Sequence, residues 1–123
     1  MTAKEYLAQL HSIKSKSDGL FCDLAFLSEL QKSENTQEVS ERADKLRREI
    51  EENNDKLLES MIEIKVRIER LDNADHVLLL KKKYIESKSI EQISDEMYYC
   101  ERQVYRMLKE AYSEFARKNK DVI

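Results

Sequence analysis

Apolar residues recur every three or four positions along most of the chain, which is the spacing of one face of an α-helix. From about Thr2 to Lys32 they follow a heptad seam of the kind that packs one helix against another. A polar turn over residues 33–36 breaks this seam, and a second one runs over residues 39–71. The two seams predict a long antiparallel helical hairpin, similar to a coiled coil, over residues 1–72.

Three features of this hairpin need a structural explanation. Gly19 interrupts the first seam, which costs about 1 kcal/mol relative to Ala and predicts a local bend or a close helix approach. Asn53 is a polar position in the second seam, and we expect it to be partly exposed rather than to fix a register. A further apolar stripe, formed by Leu58, Ile62 and Val66, must be covered either by the rest of the chain or by a second copy in a homodimer, and the sequence leaves both open.

Residues 73–123 have the pattern of three shorter helices, of which the last two are spaced as a helix-turn-helix. Asp75 is expected to cap a helix over residues 76–85. Ser89, with Gln92 three residues later, predicts a capping box at the start of a short second helix. The sequence therefore predicts an all-α protein in which a helical hairpin is followed by a three-helix module.

The last of these helices has an apolar side and a polar side. The apolar positions are Val104, Leu108, Ala111 and Phe115, and the outer positions are Arg102, Gln103, Arg106 and Lys109, with Tyr105 at the margin. In the major groove of DNA, arginine fits the acceptors of guanine and glutamine fits the edge of adenine. Lys82 and Lys83, near the end of the preceding helix, are candidate phosphate contacts. The pattern predicts that the last helix reads duplex DNA.

Composition supports an all-helical protein and argues against several other classes. The chain of 123 residues has no Pro, one Gly and 38% charged residues, so little in it interrupts a helix. The apolar runs are too short to cross a bilayer, and the first residues do not resemble a signal peptide. We therefore expect a cytoplasmic protein without a membrane partner.

Catalytic and metal-binding patterns are not found in the sequence. It has no glycine-rich phosphate loop and no Ser or Cys nucleophile with a recognisable base, so an enzyme is not expected. The two cysteines, Cys22 and Cys100, and the two histidines, His11 and His76, lack paired ligand spacing. We expect two reduced, buried thiols, two surface imidazoles, and neither a metal nor a cofactor.

Net charge is an argument for a second hypothesis. The chain carries −3 overall, and residues 72–123 contain ten Lys and Arg against ten Asp and Glu. Nonspecific affinity for DNA comes mainly from neutralising phosphates, so a neutral module weakens the DNA hypothesis. The alternative is a non-enzymatic adaptor in which the hairpin mediates assembly and the tail docks on RNA polymerase, another regulator or a packaging protein, as in a small terminase subunit.

The string YIESKSIEQISDEMYYCERQVYRMLKEAYSEF resembles the C-terminal module of small phage and prophage proteins related to sigma-factor region four, including the ArpU-like and RinA-like late-gene transcriptional regulators. The opening KEYLAQL and the charged hairpin after it are also similar to an uncharacterised phage protein family. The resemblance implies a DNA-binding regulator of transcription that works beside RNA polymerase. It places base contacts on Arg102, Gln103 and Arg106.

Two positions depart from that family pattern, and both lie in the turn before the last helix. Related turns often have Gly where this chain has Tyr98, and a Ser or Thr cap where it has Cys100. A non-Gly residue with positive φ is strained, and Cys is a poor helix cap. We therefore expect a looser or differently shaped turn at this point.

Overall fold

The computed structural model describes residues 1–123, and the chain is all-helical. The helices are α1 (Ala3–Ser33), α2 (Gln37–Ile68), α3 (Ala74–Leu80), α4 (Ile90–Met97) and α5 (Glu101–Lys118), with a π-helical turn (Lys81–Ile85) directly after α3. The predicted fold class is confirmed, and each long helix begins and ends within a few residues of the predicted positions. No helix combines the length and the apolar character needed to cross a membrane.

The chain forms two compact units. The core unit consists of Met1–His11 and Ser60–Ile123, and the hairpin unit consists of Ser12–Glu59. The boundary predicted between residues 72 and 73 falls in the short turn between α2 and α3. The core unit also includes the first residues of α1 and the last turns of α2, so the three shorter helices share their core with these segments.

The core unit is built on large aliphatic and aromatic side chains from all of its helices. Those with almost no exposed surface are Leu7, Leu10, Ile68, Leu79, Leu80, Ile93, Val104 and Phe115. The ring of Tyr6 lies 5.9 Å from that of Phe115, and the Tyr6 hydroxyl donates a hydrogen bond of 2.9 Å to Glu63. Fully burying a side chain of this size contributes about 1.5–3 kcal/mol, so this cluster is the main source of stability in the unit.

Asn119 fastens the end of α5 to α2. Its side chain is fully buried, and its Nδ2 donates to the carbonyls of Phe115 at 3.1 Å and Arg67 at 3.2 Å. Its Oδ1 accepts a hydrogen bond of 3.1 Å from Arg70. Arg67 also forms an ion pair of 3.0 Å with Asp121. Because every polar atom of this buried amide has a partner, α5 is held at its C-terminal end without an unsatisfied group.

The hairpin unit pairs the rest of α1 and α2 in antiparallel fashion. The hydroxyl of Ser17 on α1 donates a hydrogen bond of 3.3 Å to Asn54 on α2. The expectation that Asn53 is partly exposed is wrong, because Asn53 is buried and its Nδ2 has no hydrogen-bond partner. The close approach predicted at Gly19 is also absent, since α1 continues through it and an added Cβ would meet nothing within 4 Å.

The stripe beside the second seam is exposed in the single chain. Leu58, Ile62 and Val66 keep 59%, 57% and 49% of their surface accessible. The alternative in which the rest of the chain covers this stripe is therefore wrong. Coverage by a second copy remains a prediction.

Three local predictions around α3 and the cysteines are wrong. Asn73, and not Asp75, caps α3: its side chain accepts from the backbone N–H groups of Asp75 and His76 at 2.9 and 3.4 Å. His76 is buried rather than on the surface, because a carboxylate from α5 satisfies it. Cys22 and Cys100 are free, as expected, but both are exposed rather than buried.

Candidate nucleic-acid interface

Helix α4 begins with the predicted capping box. The backbone N–H of Gln92 donates to Ser89 Oγ at 3.2 Å, and the N–H of Ser89 donates to Gln92 Oε1 at 2.9 Å. Two N–H groups that the helix cannot satisfy are thus bonded reciprocally. The buried face of α4 contributes Ile93, while Ile90 and Met97 are half-buried. The start of α4 is therefore fixed by local sequence, and its orientation is fixed by one large apolar contact.

The turn between α4 and α5 covers residues 98–100. Tyr98 adopts a left-handed conformation with φ 60° and ψ 33°, although it is not glycine. Ser94 stabilises the turn, because its carbonyl accepts from Tyr99 N–H at 3.3 Å and its hydroxyl donates to the Tyr99 carbonyl. Cys100 occupies the cap position of α5, and its side chain makes no capping hydrogen bond. The strain and the weak cap expected from the sequence are both confirmed.

The inner face of α5 packs against the α3 side of the core unit. Its buried residues include the four predicted core positions, together with Met107 and Glu114. The hydroxyls of Tyr84 and Tyr112 are hydrogen-bonded to each other. Burial, and secondarily this hydrogen bond, raises the pKa of Tyr84. Tyr84 therefore stays neutral, and it joins the π-helical turn to α5.

A buried hydrogen-bonded contact between a histidine of α3 and a carboxylate of α5 was not expected from the sequence. His76 Nδ1 lies 2.9 Å from Glu114 Oε1, and the backbone N–H of Asp72 donates to Glu114 Oε2 at 3.1 Å. Burial alone would raise the pKa of Glu114, but its hydrogen bonds to His76 and to backbone N–H groups outweigh that effect and leave the pKa below its ordinary value. Glu114 is therefore charged, and it holds α5 in a fixed rotation about its axis.

The rotation of α5 places three cations on its outer side. Arg102, Arg106 and Lys109 are all exposed, and their spacing of four and three residues puts them on one face of the helix. We call these three residues the basic ridge. None of them forms an ion pair or a hydrogen bond through its side chain within the chain. The guanidinium and ammonium groups of the ridge are therefore available to a ligand.

The other two residues proposed on α5 flank the basic ridge. Tyr105 is 58% exposed, so it presents most of its ring to solvent. Gln103 is half-buried, and its amide reaches the surface only in part. All five proposed residues of α5 thus lie on or beside one surface, with Gln103 the least accessible.

The two lysines proposed on the preceding helix lie on the π-helical turn and have partners within the protein. The side chain of Lys82 is only 14% exposed, and its ammonium lies 3.6 Å from Glu96. The ammonium of Lys83 lies 5.6 Å from the centre of the Tyr84 ring, a cation–π contact. Lys82 is therefore largely engaged inside the core unit, whereas Lys83 remains half-exposed.

Sequence reasoning noted Tyr98 only as a departure in the turn and not as a candidate contact, although it is the most exposed large hydrophobic residue of the chain at 94%. Its place in the turn was the signal that could have identified it, because a left-handed position directs the side chain away from both helices. Four carboxylates, Glu91, Asp95, Glu96 and Glu101, are also exposed on α4 and at the start of α5. The surface around the basic ridge is thus aromatic and of mixed charge. No group of three or more His, Cys, Asp or Glu side chains is arranged to hold a metal ion.

The turn of residues 98–100 joins α4 to α5, and both α3 and α4 pack against α5, so the fold class of the chain is all-α. The chain matches the family described as Protein of unknown function (DUF1492) over residues 45–116, which is more than half of its length. The chain belongs to this family. The matched region includes most of α2, all of α3 and α4, and nearly all of α5. No curated protein and no solved structure matches the chain.

Proposed function

We propose that this protein is a phage-type transcriptional regulator that binds duplex DNA through α5. In this proposal Arg102 and Arg106 contact base edges, with Gln103 and Tyr105 beside them, and Lys109 contacts a phosphate. Lys83 is a second candidate for a phosphate contact. The protein acts in the cytoplasm of a bacterial host, beside RNA polymerase, as the resemblance to sigma-related phage regulators suggests.

One observation carries the proposal: the basic ridge has no carboxylate partner. Several other cations of the core unit do have one, since Lys81 lies 2.8 Å from Glu69 and Lys118 lies 2.8 Å from Asp72. An unpaired arginine retains its full set of donors for a guanine or a phosphate. The ridge also occupies the first half of α5, which is the part of a recognition helix that reaches the bases.

The exposed carboxylates near the ridge limit binding that does not depend on sequence. The core unit contains fourteen Lys and Arg against thirteen Asp and Glu, so its long-range attraction for DNA is weak. Sequence-dependent contacts must then supply most of the affinity. We therefore expect the protein to select a subset of duplexes rather than to coat DNA.

The test is selection from a pool of random duplexes, followed by affinity measurements on the selected sequence. If Lys109 and Lys83 each neutralise one phosphate, the affinity falls about 12-fold per chain between 50 and 200 mM salt. Arg106→Ala should weaken binding by about 1–3 kcal/mol and relax the preference at one base pair. The matched control is Arg48→Ala on α2, which removes the same charge from another exposed arginine and should change the affinity little. Equal losses in both variants, or affinity independent of salt, would contradict the proposal.

A protein-interaction adaptor is the second candidate function. The near balance of charge in the core unit and the exposed ring of Tyr98 both favour a protein partner, because aromatic side chains are enriched where proteins meet. RNA polymerase, another phage regulator or a packaging protein would be the partner, and a role like that of a small terminase subunit belongs to this candidate. Co-purification of one defined protein that is lost in Tyr98→Ser but kept in Arg106→Ala would favour the adaptor.

A further inference from the structure

The hairpin unit lacks an apolar core of its own. Of its large aliphatic and aromatic residues only Ile50 is buried; those that stay half-buried or exposed are Ile13, Leu20, Phe21, Leu24, Phe26, Leu27, Leu30, Val39, Leu46, Leu57 and Leu58. Phe26 is 70% exposed and Phe21 is 51% exposed. Two helices of this length cannot enclose so many large side chains without a further layer. The seam that the sequence predicted is present, but a second helix alone does not close it.

An open groove of about 390 Å³ runs between the two helices of this unit. Its apolar wall is formed by Phe26 and Leu27 of α1 and Leu46 of α2, and its polar rim consists of Asp23, Arg42, Lys45 and Glu49. The rim thus carries two carboxylates and two cations. An apolar groove with a rim of both signs has the composition of a protein–protein contact, with an apolar centre and a polar edge.

We infer that a second copy of this chain fills the groove, so that two hairpin units form a four-helix bundle. Net charge argues against two other occupants: the hairpin unit contains eight Lys and Arg against twelve Asp and Glu, and its net charge of −4 disfavours nucleic acid and anionic membranes. A rim with both signs can pair with its own copy under two-fold symmetry, because each carboxylate meets a surface that also offers cations.

Phe26 is the most exposed large hydrophobic residue of the hairpin unit. At 70% exposure, Phe26 alone leaves on the order of 100–175 Å² in water. A stable interface buries roughly 800 Å² per partner, which the half-buried leucines and Phe21 must help to supply. Packing two helical hairpins face to face covers such a seam along its whole length. This inference does not depend on DNA binding.

Sedimentation equilibrium of the full chain over a concentration series tests it. The series extends to about 100 µM, and over it we expect the mass to approach that of a dimer of two 14.6 kDa chains. Phe26→Ser should weaken the dimer on the order of 100-fold, because both copies lose the apolar contact. Phe26 is too exposed to be needed for the fold of one chain. The circular dichroism spectrum of the Phe26→Ser variant should therefore remain that of a helical protein.

The matched control is Ile62→Ser, which removes from the stripe on α2 an apolar side chain that is 57% exposed, compared with 70% for Phe26. It should leave the dissociation constant unchanged, because in this inference the second copy covers the groove and not the stripe, for which the sequence predicted that coverage. A wild-type chain that stays monomeric throughout the series would overturn the inference. So would a dimer that Ile62→Ser dissociates and Phe26→Ser does not, because the stripe would then be the interface.

Discussion

The buried pair of His76 and Glu114 gives the most direct test of how α5 is held. In Glu114→Ala the carboxylate that bonds His76 at 2.9 Å and the Asp72 N–H at 3.1 Å is lost. A net hydrogen bond to a charged group contributes about 1.5–3 kcal/mol, and a buried donor left unpaired costs about 1–3 kcal/mol. Asp72 is exposed, so water can replace the bond to its N–H, whereas the imidazole of His76 stays buried. The free energy of unfolding should therefore fall by about 2–4 kcal/mol.

The assay is urea denaturation followed by circular dichroism at neutral pH. Glu110→Ala is the matched control, because Glu110 lies one turn earlier on α5, is 60% exposed and approaches His76 Nε2 only at 3.7 Å. An exposed contact of this kind is worth less than about 1 kcal/mol. A loss below about 1 kcal/mol in Glu114→Ala, or equal losses in both variants, would refute the structural role assigned to Glu114.

The pH dependence of a second variant, Glu114→Gln, tests the sign of the effect. The folded pKa of Glu114 lies below its ordinary value, so its contribution is complete above the unfolded pKa, about 4.3. That contribution is lost as the pH falls through the folded pKa. The difference in stability between wild type and Glu114→Gln should therefore shrink on acidification below about pH 4. A difference that grows on acidification would show that the sign is wrong.

Four further changes test other parts of the molecule. Asn53→Leu should raise the free energy of unfolding by about 1–2 kcal/mol, because Nδ2 is buried without a partner; a lower urea midpoint would contradict this. Gly19→Ala should add about 1 kcal/mol, since the site is helical and open, and thermal unfolding measures it. Tyr98→Gly should stabilise the fold by about 0.5–1 kcal/mol by relieving the left-handed backbone, whereas Tyr105→Gly, inside α5, should destabilise it by about as much. The pKa of Tyr6 is raised to about 12, first by burial and then by Glu63. The contribution of neutral Tyr6 to stability is therefore complete below about pH 10 and is lost as the pH rises toward 12. An ultraviolet titration that shows Tyr6 ionising near pH 10 would contradict this.

Much of the fold could be predicted because its signals are local. Helical periodicity fixed the two long helices and the inner face of α5, and the capping box of Ser89 with Gln92 fixed the start of α4. These features depend on residues at most a few positions apart. The strained turn at Tyr98 was predicted from the family resemblance, because related turns often have Gly at this position.

The features that the sequence did not reveal depend on partners that are distant along the chain. His76 was expected on the surface because nothing near it in sequence can satisfy an imidazole, and its partner Glu114 lies 38 residues away. Asn and Asp are both suitable helix caps, so the sequence did not decide between Asn73 and Asp75. In the structure α3 begins at Ala74, so Asn73 is the cap and Asp75 lies in the first turn.

The sequence predicted which residues form the candidate site, but not which of their cations lack a carboxylate partner. Arg102, Arg106 and Lys109 were recognisable as the outer face of a helix, because only helical spacing was needed. That Lys82 contacts Glu96, while the ridge has no such partner, required the packing of the π-helical turn against α4. Sequence spacing decides which face a cation occupies, and tertiary structure decides whether that cation is neutralised.

The contact between Tyr6 and Phe115 has a practical consequence for anyone who dissects this protein. A fragment that begins at residue 73, or one trimmed to the family match at 45–116, lacks the opening turns of α1 and leaves one side of the Phe115 ring in water. Such fragments should aggregate or melt early however well their own helices form. A minimal version of the core unit needs residues 1–11 reattached, for example through a short flexible linker to residue 60.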